Sequence, residues 1–160
     1  MQTLKTLKNK GSARDTALRL LSRREHTRHE LTAKLRHKGF AKEEIAQLLD
    51  DLVERGFLSE PRAAELFFLR AQGDKSYGLR YWHRKMIERG FPEELVHEVL
   101  GRIRADRDEK EAASDLAASL MRSGKSAEQV ARSLASRGFA TDAIIEALRK
   151  LRLDICEPGS

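Results

Sequence analysis

One cysteine, Cys156, stands in the 160 residues, so no disulfide can form within the chain. That excludes a disulfide-stapled secreted scaffold and favours a reducing compartment, the cytoplasm. Cys156 also has no histidine at a fixed spacing and precedes a Glu-Pro-Gly-Ser tail, which argues against a thiol nucleophile. No apolar run reaches eighteen residues, so no membrane-spanning helix is expected. Residues 1–11 carry Lys5, Lys8 and Lys10 but no signal-peptide apolar stretch, and read as a loose basic arm. Aromatics make up only 6% while charged residues reach 35%, consistent with much surface per residue.

Catalytic constellations are missing too. His26 and His29 stand three apart beside Glu25 and Glu30, a spacing compatible with a metal. They straddle an expected helix N-cap, which turns them apart, and no third ligand follows. Exposed, solubilising histidines are the expectation, and His37, His83 and His97 stand singly on polar faces. Gly73 to Gly78 lacks the phosphate-loop spacing and a preceding strand, and reads as an extended loop between helices. No Ser-His-Asp set or carboxylate pair stands out. The chain reads as no enzyme, with no cofactor and no metal.

What is present is a repeat. Basic-Gly-Phe occurs at Lys38-Gly39-Phe40, Arg89-Gly90-Phe91 and Arg137-Gly138-Phe139, with the glycines about fifty residues apart. Aligned on those glycines, Leu31, Trp82 and Val130 share a position, as do Leu35, Met86 and Leu134. After the glycine come Ile45, Val96 and Ile144, then Leu49, Leu100 and Leu148, then Leu52, Ile103 and Leu151. Spacings of four and three mark one buried helical face before each glycine and another after it.

Each glycine ends a helix where positive φ is needed, and the Phe returns to the core. Thr27, Gly78 and Ser126 are the expected N-caps, with Glu30 and Gln129 completing two capping boxes. Pro92 suits a first helical turn. A further helix precedes each pair, marked by Ala17-Leu21, Leu66-Leu69 and Ala113-Leu120. A fourth copy, Arg55-Gly56-Phe57, joins the first repeat to the second.

The expectation is therefore all-α, three tandem three-helix repeats with about nine helices, forming an elongated, curved body that shares burial between neighbours. The boundaries are a flexible arm at 1–11, repeats at 12–57, 58–104 and 105–152, and a flexible tail at 153–160. Glu65 to Leu69 is apolar enough for a strand, but Ala63-Ala64 and the helical spacing argue for helix.

Charge is organised as well. Residues 1–40 hold eleven Lys/Arg against three acids, and residues 41–69 hold three against seven. Residues 70–90 return to six against two, and 91–115 to four against eight. The second helix of the first two repeats is thus basic and the third acidic, which points to a cationic stripe facing a polyanion. Trp82 belongs to the core by register. Tyr77 and Tyr81 fall outside it, among Lys75, Arg80, Arg84 and Lys85, where they could stack on bases of a single strand or pack on the loop.

Three stretches resemble the RecX family, the bacterial regulators of the RecA recombinase. They are Ala17 to Leu35 with its Arg23-Arg24 and Glu-Leu-x-x-Lys-Leu helix, Arg55-Gly56-Phe57-Leu58, and Lys75-Ser76-Tyr77-Gly78 followed by a basic helix. The chain departs from the family at Ser59 to Ala64, where no aromatic stands at the usual Phe position. The resemblance implies a monomer that binds RecA, free or as a filament on single-stranded DNA. It would hinder filament extension, ATP hydrolysis, strand exchange and coprotease activity, with sequence-tolerant contact to single- or double-stranded DNA.

Repeat one would offer Arg23, Arg24, Arg28, Lys34, Arg36 and Lys38 to RecA or DNA. Repeat two would offer Arg70, Lys75, Tyr77, Arg80, Tyr81, Arg84, Lys85 and Arg89. Arg122, Lys125, Arg132 and Arg137 are the poorer set of repeat three. Two other readings stay open: an autonomous DNA-binding protein of tandem helix-turn-helix-like units, and a helical adaptor with some other partner.

Overall fold

The structure, a computed structural model, describes residues 11–156, the last four by backbone alone. The basic arm over residues 1–10, the tail over 157–160 and the Cys156 thiol lie outside the described residues.

Among the described residues there are nine helices and no strand. They are α1 (Ala13–Leu21), α2 (Arg28–His37), α3 (Lys42–Glu54), α4 (Glu60–Gly73), α5 (Leu79–Arg89), α6 (Glu93–Asp106), α7 (Glu109–Arg122), α8 (Ala127–Ser136) and α9 (Thr141–Cys156). The last helix runs on past residue 152. By internal contacts the chain forms two compact units, Met1–Ala63 and Ala64–Ser160.

In the first unit, Ala17, Leu31, Leu35, Ile45, Leu49, Leu52 and Leu58 close the core of α1, α2 and α3. Thr27 caps α2 with a complete capping box. Gly39 turns out of the helix at φ 87°, and the Phe40 N–H reaches back to the Leu35 carbonyl at 3.2 Å. At the fourth basic-Gly-Phe the backbone closes one residue later, with the Leu58 N–H on the Leu52 carbonyl at 3.0 Å. Leu58 therefore takes the buried place and Phe57 stays 49% exposed.

In the second unit, Phe67, Trp82, Met86, Phe91, Val96, Val99 and Ile103 are buried. The Trp82 ring meets Phe67 edge-on at 5.5 Å between centroids, so its register assignment to the core holds. The remaining helices pack through alanine: Ala112, Ala113 and Ala117 of α7 and Ala143 and Ala147 of α9 are buried with Val130, Leu134 and Phe139. Ile144, Leu148 and Leu151, expected to carry that face, are only partly buried against it. The buried register of α9 is thus shifted by one residue from the expected one, because alanine methyls admit the close approach of α7.

One cap differs for a reason. Gly78 replaces the Thr or Ser of the other repeats because a Cβ there would lie 2.3 Å from the Gly138 carbonyl oxygen. The lost side-chain cap is supplied from outside: the Glu109 carboxylate accepts from the Leu79 N–H at 2.9 Å. Repeat one has the same device, with Glu60 accepting from the Arg28 N–H at 2.9 Å. Glu60 opens α4 and Glu109 opens α7. Each carboxylate satisfies an orphan donor at the positive end of the preceding repeat's basic helix.

Candidate polyanion-binding surface

Acids first decide which cations are available. Arg24 pairs with Glu30 at 3.0 Å and Arg28 with Asp50 at 2.7 Å, so both expected contacts are engaged inside the first unit. Arg14 reaches Asp51 at 2.8 Å, and Arg55 and Arg14 together hold that carboxyl below its usual range. Arg62 pairs with Glu25 and also donates to the Gly56 and Phe57 carbonyls, fixing the turn that exposes Phe57.

In the first unit, several cations that form no ion pair among the described residues come together. An open groove along α1 and α2 is lined by Asp15, Thr16, Arg19, His37, Lys38 and Phe40, with a volume of about 540 Å³. It runs on, through shared residues, into stretches lined by Leu20 and Arg23 and by Ala33 and Lys34. Lys34 and Lys38 were expected here, as was Arg23. Arg19, in the last turn of α1, was not among the expected contacts; Arg23 follows it in the turn just past the Ser22 C-cap. Arg36 is exposed but does not line the groove. Cations in a last turn complement the helix macrodipole, which accounts for Arg19 or Lys34 singly, not for their convergence.

His26 differs from expectation: it is 3% exposed, with Nδ1 at 2.9 Å from the Arg24 carbonyl. Its place just before the Thr27 cap folds the ring inward, and burial lowers its pKa from the ordinary imidazole value. His29 remains exposed. Among the described residues no cluster of three or more His, Cys, Asp or Glu could hold a metal ion.

In the second unit the two tyrosines find each other. Tyr77 and Tyr81 stack at 4.0 Å with a 21° interplanar angle, and both turn an edge to Trp82. Both are half-buried, so the exposed position expected for Tyr81 gives way to mutual stacking that uses one face of each ring. Arg137 covers Tyr77 at 5.5 Å and donates to the Ser76 carbonyl at 3.4 Å. Arg107 donates to the Asp74 carbonyl at 3.2 Å and to the Tyr77 carbonyl, tying down the 73–78 loop. Burial draws the Arg107 guanidinium below its usual range, against Glu109 and Asp74.

Arg84 and Lys85 lie 5.7 and 5.8 Å from the Tyr81 ring centre. Both also approach Glu88, at 3.7 and 2.7 Å, and Lys85 foremost holds that carboxyl below its usual range. Arg89 lies over Phe91 at 5.0 Å, and Arg132 pairs with Glu128. Arg70, Lys75, Arg80, Arg122 and Lys125 are exposed. Among the described residues, no ion pair engages these five.

The fold and this surface define an all-α protein of repeated three-helix units that presents local clusters of cations. Residues 13–52 match the RecX first three-helix domain. Regulatory protein RecX of Pseudomonas putida (strain GB-1) is 36% identical over 146 residues, covering 88% of this chain and 92% of that protein. That of Halorhodospira halophila is 39% identical over 89 residues, covering 56% of this chain and 55% of that relative's length. The crystal structure of RecX from Lactobacillus salivarius superposes with a TM-score of 0.69 at 20% identity, over 88% of this chain and 95% of that one. At such identity the likeness bears on the fold alone. The chain belongs to the RecX family of regulatory proteins. No helix among the described residues is long and apolar enough to cross a membrane.

Proposed function

We propose that this protein binds RecA, free and as a filament on single-stranded DNA, and restrains filament extension together with ATP hydrolysis, strand exchange and coprotease activity. Family membership supplies the partner, since the resemblance implies RecA. The observation that supports a surface-acting regulator is the distribution of charge. Arg24, Arg28 and Arg102 are held by Glu30, Asp50 and Glu65, while Arg19, Arg23, Lys34, Lys38, Arg70, Lys75 and Arg80 are exposed and in no ion pair among the described residues. A surface of this kind attracts a large anionic assembly over a Debye length and adds specificity through shape. Arg36 in the first unit and Arg84, Lys85, Arg122 and Lys125 in the second add further cations in this reading.

The test is RecA's ATPase on single-stranded DNA with an equimolar amount of the chain. The reading expects a clear fall in turnover, and an unchanged rate overturns it. A second reading, a sequence-tolerant DNA-binding protein, draws on the same unpaired cations. It expects binding to bare oligonucleotide whose logarithmic salt slope is about −0.7 per phosphate engaged, and no effect that requires RecA.

A further inference from the structure

The groove between α1 and α2 has two chemistries, and one class of ligand uses both. Its rim is cationic, carrying Arg19 and Arg23 from one wall and Lys34, His37 and Lys38 from the other. Asp15 is its single acid. Its floor is apolar, made by Leu20, Ala33 and Phe40. We propose that this groove docks an acidic amphipathic segment of a partner protein, with carboxylates along the rim and aliphatic side chains on Leu20, Ala33 and Phe40.

Three features favour such a segment over a nucleic-acid strand. A phosphate backbone needs the rim and makes no use of an aliphatic floor. Strand binding relies on exposed aromatic rings for base stacking, and the groove is lined by no Tyr or Trp, while its Phe40 ring is half-buried in the turn after α2. The walls are two helices with a furrow between them, the arrangement into which a third amphipathic helix or extended peptide lays its apolar side. The rim cations have no carboxylate of this chain to displace among the described residues, so a partner's acids meet them at little competitive cost.

The inference rests on the preceding reading only in taking the partner to be a protein. It is tested with the full chain and three labelled probes. One is a sixteen-residue helical peptide with leucine on one face and glutamate on the other. The second has the same composition scrambled, and the third is a twenty-nucleotide oligothymidylate.

The expected result is tighter binding of the ordered peptide than of the scrambled one. Arg19→Glu with Lys38→Glu should then weaken that binding by about tenfold or more. Both positions are exposed, and unchanged circular dichroism confirms the fold. Should the pair misfold, Ala33→Glu places a repelling acid on the exposed floor and must give the same loss. Equal binding of ordered and scrambled peptides overturns the proposal. So does tighter binding of the oligonucleotide that falls on charge reversal, because the groove is then a phosphate track. RecA ATPase with the unaltered chain is read alongside. Inhibition without peptide binding sinks the groove alone, and peptide binding without inhibition sinks the RecA reading alone.

Discussion

Gly78 and Gly138 lie backbone to backbone: the Gly78 N–H donates to the Arg137 carbonyl at 2.9 Å, and the Gly138 carbonyl accepts from the Arg80 N–H at 3.2 Å. A Cβ on Gly138, which also sits at φ +78°, would come 2.3 Å from the Tyr81 nitrogen. Turn and helix start are thus fitted to each other without room for a methyl. Gly78→Ser separates two rules. Capping alone expects a gain of about a few tenths of a kcal/mol, since Thr27 and Ser126 cap the equivalent helices. The contact with Gly138 expects a loss of about 1–3 kcal/mol, and chemical denaturation should show the loss.

Arg14 of α1 meets Asp51 of α3 at 2.8 Å, and Glu65 of α4 meets Arg102 of α6 at 2.6 and 3.0 Å. Both pairs are 37 residues apart, so the same bridge recurs with its charges exchanged. Arg14→Asp with Asp51→Arg should therefore recover part of what either change alone costs, the remainder being the pair Asp51 also makes with Arg55 at 2.7 Å. The comparison is a thermal melt of all four proteins. Glu65→Arg with Arg102→Glu should recover less fully, because Arg102 also sits 3.8 Å over the Phe68 ring.

The burial of His26 makes stability depend on pH. Its pKa is lowered in the folded chain chiefly by desolvation, with Arg24 and Lys34 opposing its charge and Glu30 favouring it. The unfolded chain therefore takes up a proton near the ordinary 6.5 while the folded one resists it. Stability from this group is intact above that value and drains as the pH falls, by up to about 1.4 kcal/mol per unit. Denaturant melts from pH 7.5 to 5.5 should show the fall, and His26→Gln should flatten it relative to the unaltered chain.

Charge reversal at Arg84 and Lys85 should weaken RecA inhibition with helix content unchanged. Both side chains are largely on the surface of α5, and what they lose inside the chain is an exposed pairing with Glu88 and a cation–π approach to Tyr81. Such pairs contribute little to folding. Circular dichroism alongside the ATPase checks this, and a loss of helix would make the two residues structural.

Much of the fold was legible because a repeat averages out local noise. Leu35, Met86 and Leu134 are all fully buried, as the glycine register requires. Thr27 and Ser126 form the capping boxes their Glu and Gln partners announce. What escaped depends on pairing at a distance. Nothing local to α9 says that Ala143 and Ala147 would displace Ile144 and Leu148 from the centre, since that follows from the alanines of α7. Periodicity likewise could not bury His26, which lies between helices rather than on one.

The site was less legible than the fold. Counting basic residues per helix favours Arg24 and Arg28, which are occupied by Glu30 and Asp50. It passes over Arg19, whose neighbours across the groove come from another helix. The sequence left the Tyr77 and Tyr81 rings open between base stacking and packing on the loop, because their shared partner is each other.

The most direct measurement is co-sedimentation of the chain with preformed RecA filaments on single-stranded DNA, run across a salt series beside bare single-stranded DNA. The account predicts that bare-DNA binding disappears steeply with salt while the chain still pellets with filaments above that point. Parallel loss from both at the same salt would contradict it, leaving phosphate attraction as the whole of the interaction.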